Sequence, residues 1–401
     1  MTEPSFSIPT IRLKPKANAR AIRHGAPWVY DNELVVDRRT KSILPGTIAR
    51  LEDAERHFLA LVAVNPNSRI FGRVLAREED EQIDEAWFVA KLTAALKHRA
   101  HMFDAPFYRL VHAEADGLPG VVIDRFGDTC VVQPNAAWAD VRIDMVAAAL
   151  RQVTGVSTVV MNGTGRARGL EGLEEKTEIL TGAVDGPIPV QMNGATYMAD
   201  IMGGQKTGLF YDQRPNHAFA QHLGKGQKVL DVFSHVGGFA LATLAGGAAS
   251  ALSVDSSAPA LELAEQGAAA MGASDRFATR KGDAFDTMAA LLEEGETFDV
   301  VICDPPAFAP SKNALEKGMR AYERVARMAA PLVREGGYLG LCSCSHAADL
   351  ETFRNACNRG IGRAARSAQL IHTGFAGADH PLMPQLAESG YLKALFYRMM
   401  P

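Results

Sequence analysis

Cysteine is scarce in this sequence: five residues among 401, an odd number. No Cys-x-x-Cys pair and no cysteine–histidine cluster with zinc spacing occurs, and Cys342 and Cys344 enclose a single residue. That excludes a disulfide-stapled scaffold, makes a zinc or other metal site unexpected, and fits a reduced, cytoplasmic compartment. Apolar runs are short. None reaches the roughly 18 residues of a membrane helix, and Met1–Pro9 lacks the basic start and apolar centre of a signal peptide. Internal repeats and low-complexity tracts are missing, as is G-x-G-x-x-G, which argues against a dinucleotide oxidoreductase. Charge of one sign is not in large excess either: 42 Lys and Arg against 46 Asp and Glu leave a net of −4. A mildly acidic chain speaks against nucleic-acid binding only if its charge is evenly spread.

It is not evenly spread. Residues 1–77 hold 13 Lys and Arg against 7 Asp and Glu, a local net of +6. The densest part contains Arg12, Lys14, Lys16, Arg20 and Arg23. Short alternating runs at 47–51, 58–64 and 70–75, separated by Pro45-Gly46, Asp53 and Asn65-Pro66-Asn67, predict a small antiparallel barrel or sheet over residues 1–80. An acidic stretch at 78–83 reads as a linker. A second domain over 81–190 is expected to be α+β in a β-β-α-β-β pattern, with strands at 108–112, 120–124, 129–133 and 158–161 and a helix over 140–152. Over 191–401 strands and helices alternate, which predicts an α/β domain with a parallel, doubly wound sheet.

The chemistry-bearing residues fall at the expected strand ends of that third domain. The strand 228–233 runs into Phe233-Ser234-His235-Val236-Gly237-Gly238-Phe239. Glycine there lets a ligand approach the backbone, and the next helix offers free N–H groups. The following strand ends at Asp255-Ser256, about 20 residues past the glycine loop and suited to a pair of ribose hydroxyls. The third ends before Asp283-Ala284, where Asp283 either meets an adenine amino group or caps a helix. The fourth ends in Asp304-Pro305-Pro306-Ala307-Phe308. Two prolines freeze the turn and hold Asp304 at the strand edge, with Phe308 available to stack on a flat base. This turn is specific to methyltransferases acting on planar nitrogen-bearing groups. The fifth strand ends in Ser343-Cys344-Ser345, placing a thiol where it reaches the same cleft, whereas Cys303 and Cys342 lie inside strands and read as inert.

Taken in order, these motifs resemble the ribosomal RNA large-subunit methyltransferase I family. The match includes His24-Gly25-Ala26-Pro27-Trp28-Val29-Tyr30, Asp116-Gly117-Leu118-Pro119-Gly120 and Lys206-Thr207-Gly208-Leu209-Phe210-Tyr211-Asp212-Gln213-Arg214. The resemblance implies an N-terminal PUA domain, a small central domain and a C-terminal Rossmann-like domain that binds S-adenosyl-L-methionine. It implies 23S ribosomal RNA as partner, 5-methylcytosine as product, no membrane association, and a homodimer among the possible assemblies. The cofactor would lie over Phe233, Ser234, Gly237 and Gly238, above Asp231. Asp255 and Ser256 would meet the ribose, and Asp283 and Ala284 the adenine. Phe210, Gln213 and Arg214 would flank it. Cys344 matches the catalytic cysteine and Asp304 orients the base. Many RNA cytosine methyltransferases carry a second cysteine just after the Asp-x-Pro turn, where this chain has Ala307.

Two other readings compete. An N-methyltransferase acting on a guanine of rRNA would use Asp304-Pro305-Pro306 and need no thiol. A non-catalytic RNA-binding assembly factor would keep the fold without the chemistry.

Overall fold

The computed structural model describes residues 8–203, 208–386 and 389–401; Lys206 and Thr207 of the segment before Gly208 lie outside them. The chain divides into two compact units, Met1–Asp185 with Pro381–Ser389, and Gly186–His380 with Gly390–Pro401. The stretches expected as first and second domains thus fall together in the first unit.

The first unit holds two five-stranded sheets. Strands β1 (Thr10–Arg12), β2 (Trp28–Tyr30), β3 (Thr47–Glu52), β4 (Phe58–Val64) and β5 (Ile70–Ala76) assemble in the order β1-β3-β4-β5-β2. The sheet is not wholly antiparallel, as the alternation predicted: β1 runs parallel to β3. The chain between them carries the helix Ala19–Arg23 and crosses to the far edge as β2, and such a crossover is what parallel pairing requires.

The second sheet contains β6 (Phe107–His112), β7 (Val121–Phe126), β8 (Thr129–Pro134), β9 (Thr158–Gly163) and β10 (Lys176–Thr181), in the order β10-β9-β8-β7-β6. The strands expected at 108–112, 120–124 and 129–133 are found and all precede the helix Ile143–Thr154, so only the shorthand β-β-α-β-β is one strand short. The helix Glu85–Met102 starts where Asp84 accepts a bond from Trp87 N at 3.0 Å. It buries Trp87 and Phe88, and Phe88 stacks on Trp138 at 5.8 Å.

Arg73 of β5 is nearly buried and pairs with both Glu114 (2.9 Å) and Glu171 (3.0 Å). Trp28 Nε1 donates to the same Glu114 and Asn65 Nδ2 to Glu171. A charge this deep needs opposite charges beside it.

The second unit opens with the hairpin β11 (Ile188–Met192) and β12 (Ala195–Ala199). Its main sheet contains β13 (Lys228–Val232), β14 (Ser250–Asp255), β15 (Phe277–Lys281), β16 (Phe298–Cys303), β17 (Val333–Ser343), β18 (Ala368–Gly374) and β19 (Lys393–Met399). Their order is β15-β14-β13-β16-β17-β19-β18. The first five are mutually parallel, whereas β19 is antiparallel to both of its neighbours. The sheet is therefore mixed at one edge rather than wholly parallel. No α-helix among the described residues lies between β18 and β19, which pair antiparallel. The alternation did not reveal β18, because Leu370 and Ile371 are exposed at this edge strand. The helix Leu315–Ala329 ends where a 3₁₀ turn containing Pro331 breaks the ladder.

The core beneath β13, β16 and β17 buries Leu230, Val301, Leu339 and Phe353 together. The order reverses between β13 and β16, and ligands of open α/β sheets bind outside the strand ends at such a switch point. No helix among the described residues is long and apolar enough to cross a membrane.

Candidate active site

The C-terminal ends of β13, β14, β16 and β17 bring most of the expected residues to one sheet edge. Asp231 is fully buried, and its Oδ2 accepts bonds from Phe239 N (3.1 Å) and Ala240 N (2.9 Å), capping the helix Gly238–Ala245 from within the strand. Its Oδ1 is buried without a hydrogen-bond partner. Burial, opposed by the two backbone bonds and reinforced by Asp304 and Asp255, raises this carboxyl to about 8.

The loop above it is bent into an uncommon shape. Phe233 (φ 64°) and His235 (φ 50°) both adopt left-handed backbone without being glycine, and Gly237 follows at φ 81°. Such outliers gather where surrounding structure over-determines them. Asp255 does part of that work: its Oδ2 accepts from His235 N at 2.9 Å and its Oδ1 from Ser257 N at 2.9 Å. A Cβ on Gly237 would come within 3.1 Å of both Ala264 and Leu241 on a left-handed backbone, so a side chain here is strained twice over. Ser234 is buried, its Oγ lacks a partner, and its carbonyl accepts from Gly237 N.

Phe210 meets the His235 ring at 5.2 Å, and the Arg214 guanidinium lies over Tyr211 at 5.6 Å. Gln213 donates from Nε2 to Asp304 Oδ2 at 2.9 Å and accepts from Asn216 Nδ2 at 2.6 Å, which ties the helix Arg214–Gly224 to the end of β16. Asp283 is exposed and caps the helix Ala284–Glu293, accepting from Phe285 N and Asp286 N through Oδ1. The capping alternative raised by its sequence is realised. Ala284 is buried at the first position of that helix, and Ser256 is exposed.

The Asp304 turn and the Cys344 loop are joined by hydroxyl groups. Tyr322 OH bonds Ser343 Oγ at 2.9 Å and Ser345 Oγ at 2.8 Å, and Ala309 N donates to Ser345 Oγ at 3.0 Å. Alternation along a strand sends neighbours to opposite faces. Ser343 and Ser345 face Tyr322, and Cys342 faces the other way. Cys342 accordingly lies against Gln213 and near Asp304.

Cys130, Cys303, Cys342 and Cys357 are buried, and burial pushes all four thiols up, Cys130 to about 12. Only Cys344 is partly exposed. Pro305 is buried, while Phe308 is half-buried against Tyr322 (5.0 Å) and Phe233 (6.4 Å).

The sequence reading missed Tyr322 and Lys393. Lys393, a single lysine within the apolar stretch Tyr391–Tyr397, was the available signal. Its Nζ donates to Ser345 O (2.8 Å) and Ala348 O (2.7 Å) beneath the cysteine loop. His217 was also missed. It stacks on Tyr197 and backs Gly238, and burial lowers it to about 3.

In the first unit Lys14, Lys16, Arg20 and Arg23 are exposed. Arg12 pairs with Glu52 at 3.1 Å and Arg23 with Asp53, and Lys14 Nζ donates to Asn32 O.

Three carboxylates, Asp231, Asp255 and Asp304, gather around a glycine loop and a helix start, and the other two add to the rise at Asp231. That arrangement suits a cationic ligand with a ribose, and S-adenosylmethionine is a sulfonium ion of that kind. The fold and site are those of an S-adenosylmethionine-dependent methyltransferase. The profile of that family matches residues 166–398, and a PUA-like domain profile matches residues 11–77.

The chain is 32% identical to the Ribosomal RNA large subunit methyltransferase I of Erwinia tasmaniensis, covering 97% of this chain and all of that one. It is 34% identical to the Ribosomal RNA large subunit methyltransferase of Deinococcus radiodurans across the full length of both. The chain belongs to the ribosomal RNA large subunit methyltransferase family. A solved S-adenosylmethionine-dependent methyltransferase from Streptococcus mutans has the same fold, with a TM-score of 0.81, 19% identity and coverage of 98% and 100% of the two chains.

Proposed function

We propose that this enzyme methylates C5 of a cytosine in 23S ribosomal RNA, in the cytoplasm, through a covalent adduct of Cys344. The observation that carries the reading is the contrast among the five thiols: four are sealed in the core, and the fifth stands at the end of β17, one strand over from Asp304. The relatives' names supply the substrate class.

Bound S-adenosylmethionine supplies an electrophilic methyl group. Phe233, Ser234, Gly237 and Gly238 would hold it over Asp231, with Phe210, Gln213 and Arg214 beside it. Asp255 and Ser256 would take the ribose, and Asp283 and Ala284 the adenine. Asp304 would bind the amino or N3 edge of the cytosine and orient the ring, with Pro305 and Phe308 against its face. The Cys344 thiolate adds to C6, forming an S–C bond and making C5 enamine-like, so that C5 takes the methyl group. A base removes the C5 proton, and the S–C bond breaks to return the thiolate. The target base must be out of its stack. Arg12, Lys14, Lys16, Arg20 and Arg23 would contribute salt-dependent phosphate affinity.

A second reading, N-methylation of a guanine, is favoured by the Asp304-Pro305-Pro306 turn and needs no thiol. Cys344→Ala separates the two. We expect it to lose methyl transfer to rRNA while retaining S-adenosylmethionine binding by calorimetry, whereas full activity would overturn the C5 reading. Mass-spectrometric mapping of 23S rRNA from a strain lacking the chain identifies the base and atom together.

A further inference from the structure

Lys393 is only 4% exposed, yet it forms no salt bridge among the described residues. A buried ammonium without a counter-carboxylate is costly unless its surroundings compensate. Two of its three N–H groups go to Ser345 O and Ala348 O, one on either side of the turn that follows Cys344. In the β17–β19 ladder it stands opposite Ser343, one residue before the cysteine. Burial draws this amine down to about 8, and the charges opposing that fall are Cys344 first and Asp349 second. Asp349 is exposed and already caps the helix Leu350–Arg363 through Thr352 N at 2.7 Å.

We propose that Lys393 is a positioning residue whose ammonium is the counter-ion of the Cys344 thiolate, holding the nucleophile deprotonated while fixing the backbone of its loop. The proposal rests on the covalent reading of Cys344. It explains why a cation is kept in an apolar strand beside the cysteine loop, since thiolates are stabilised by adjacent positive charge.

Other titratable groups lie around the loop. Tyr322, on the helix Leu315–Ala329, is held up by burial and bonded to Ser343 and Ser345. Asp304 and Asp349 are acids. His346 follows on the loop itself, exposed, with its ring 5.2 Å from Tyr391.

The test titrates the thiol in the full chain without RNA. The rate of iodoacetamide alkylation is measured against pH, with the Cys344 peptide followed by mass spectrometry. The four buried cysteines react far more slowly. The wild-type midpoint should fall below the value of about 8.5 for a free cysteine. Lys393→Met should raise it by about one unit, a roughly tenfold slower reaction at pH 7, with S-adenosylmethionine binding retained. Asp349→Asn keeps the helix cap and should lower the midpoint slightly. A wild-type midpoint at or above 8.5 overturns the proposal with no variant needed, and so does an unchanged midpoint in a Lys393→Met protein that binds the cofactor. Failure of the covalent reading looks different: Cys344→Ala would then methylate rRNA at full rate, whatever the thiol titration gives.

Discussion

At the ends of β13 and β14 the cleft is shaped by backbone, whereas at the ends of β16 and β17 it is shaped by side-chain hydroxyls. On the first side, Asp231 and Asp255 grip main-chain N–H groups and force Phe233, His235 and Gly237 into left-handed conformations. On the second, Tyr322 bonds two serines that bracket Cys344, and one of them also takes Ala309 N from the Asp304 turn. The difference matches the partners each side would meet. A cofactor of fixed shape is served by a rigid backbone cradle. A base that, on the covalent reading, would be swung in, attacked and released is served by side chains that can be tuned without refolding the loop.

The largest expected effect tests the cradle. Gly237→Ala puts a Cβ into a left-handed position already in contact with Ala264 and Leu241, costing about 1–2 kcal/mol. S-adenosylmethionine affinity by calorimetry should fall about tenfold or more, with turnover at saturating cofactor nearly preserved. Tyr322→Phe should do the reverse. Removing the hydroxyl leaves Ser343 and Ser345 short of a partner, about 1–3 kcal/mol. It should lower kcat about tenfold while leaving cofactor affinity unchanged. If Tyr322→Phe weakens cofactor binding as much as Gly237→Ala, the two sides are one mechanical unit and the distinction fails.

The effect smallest at neutral pH is a pH slope confined to the cradle. Burial depresses His217 to about 3 from an ordinary value of 6.5, so the folded state binds fewer protons than the unfolded one between these values. Its stabilising contribution is complete above pH 6.5. It is lost as pH falls, by up to about 1.4 kcal/mol per unit. Thermal melts of wild type and His217→Gln should diverge below pH 6.5, and parallel melts would place the acid sensitivity elsewhere.

Much of this was legible in the chain because strand ends announce themselves. Apolar runs followed by Ser-His-Val-Gly-Gly, Asp-Ser or Asp-Pro-Pro fix both the strand and the place where it stops, and successive parallel strands bring such stops to one edge. Tyr322 and Lys393 were not legible for the opposite reason. They sit within continuous elements, a helix and a strand, and acquire meaning only when β17 is laid against β19 and over the helix Leu315–Ala329. The same holds for β18, an edge strand whose exposed Leu370 and Ile371 erase the alternation. It holds too for the parallel β1–β3 pair, which a run of short strands cannot distinguish from a meander.

Arg73 lies within the segment that matches a PUA-like profile, but both of its carboxylate partners lie beyond residue 77, at Glu114 and Glu171. The unit recognisable by descent is therefore not the unit of folding. A fragment cut at the recognised boundary would strand a cation on one side and two acids on the other, so this module could be transplanted between proteins only with the sheet that neutralises it.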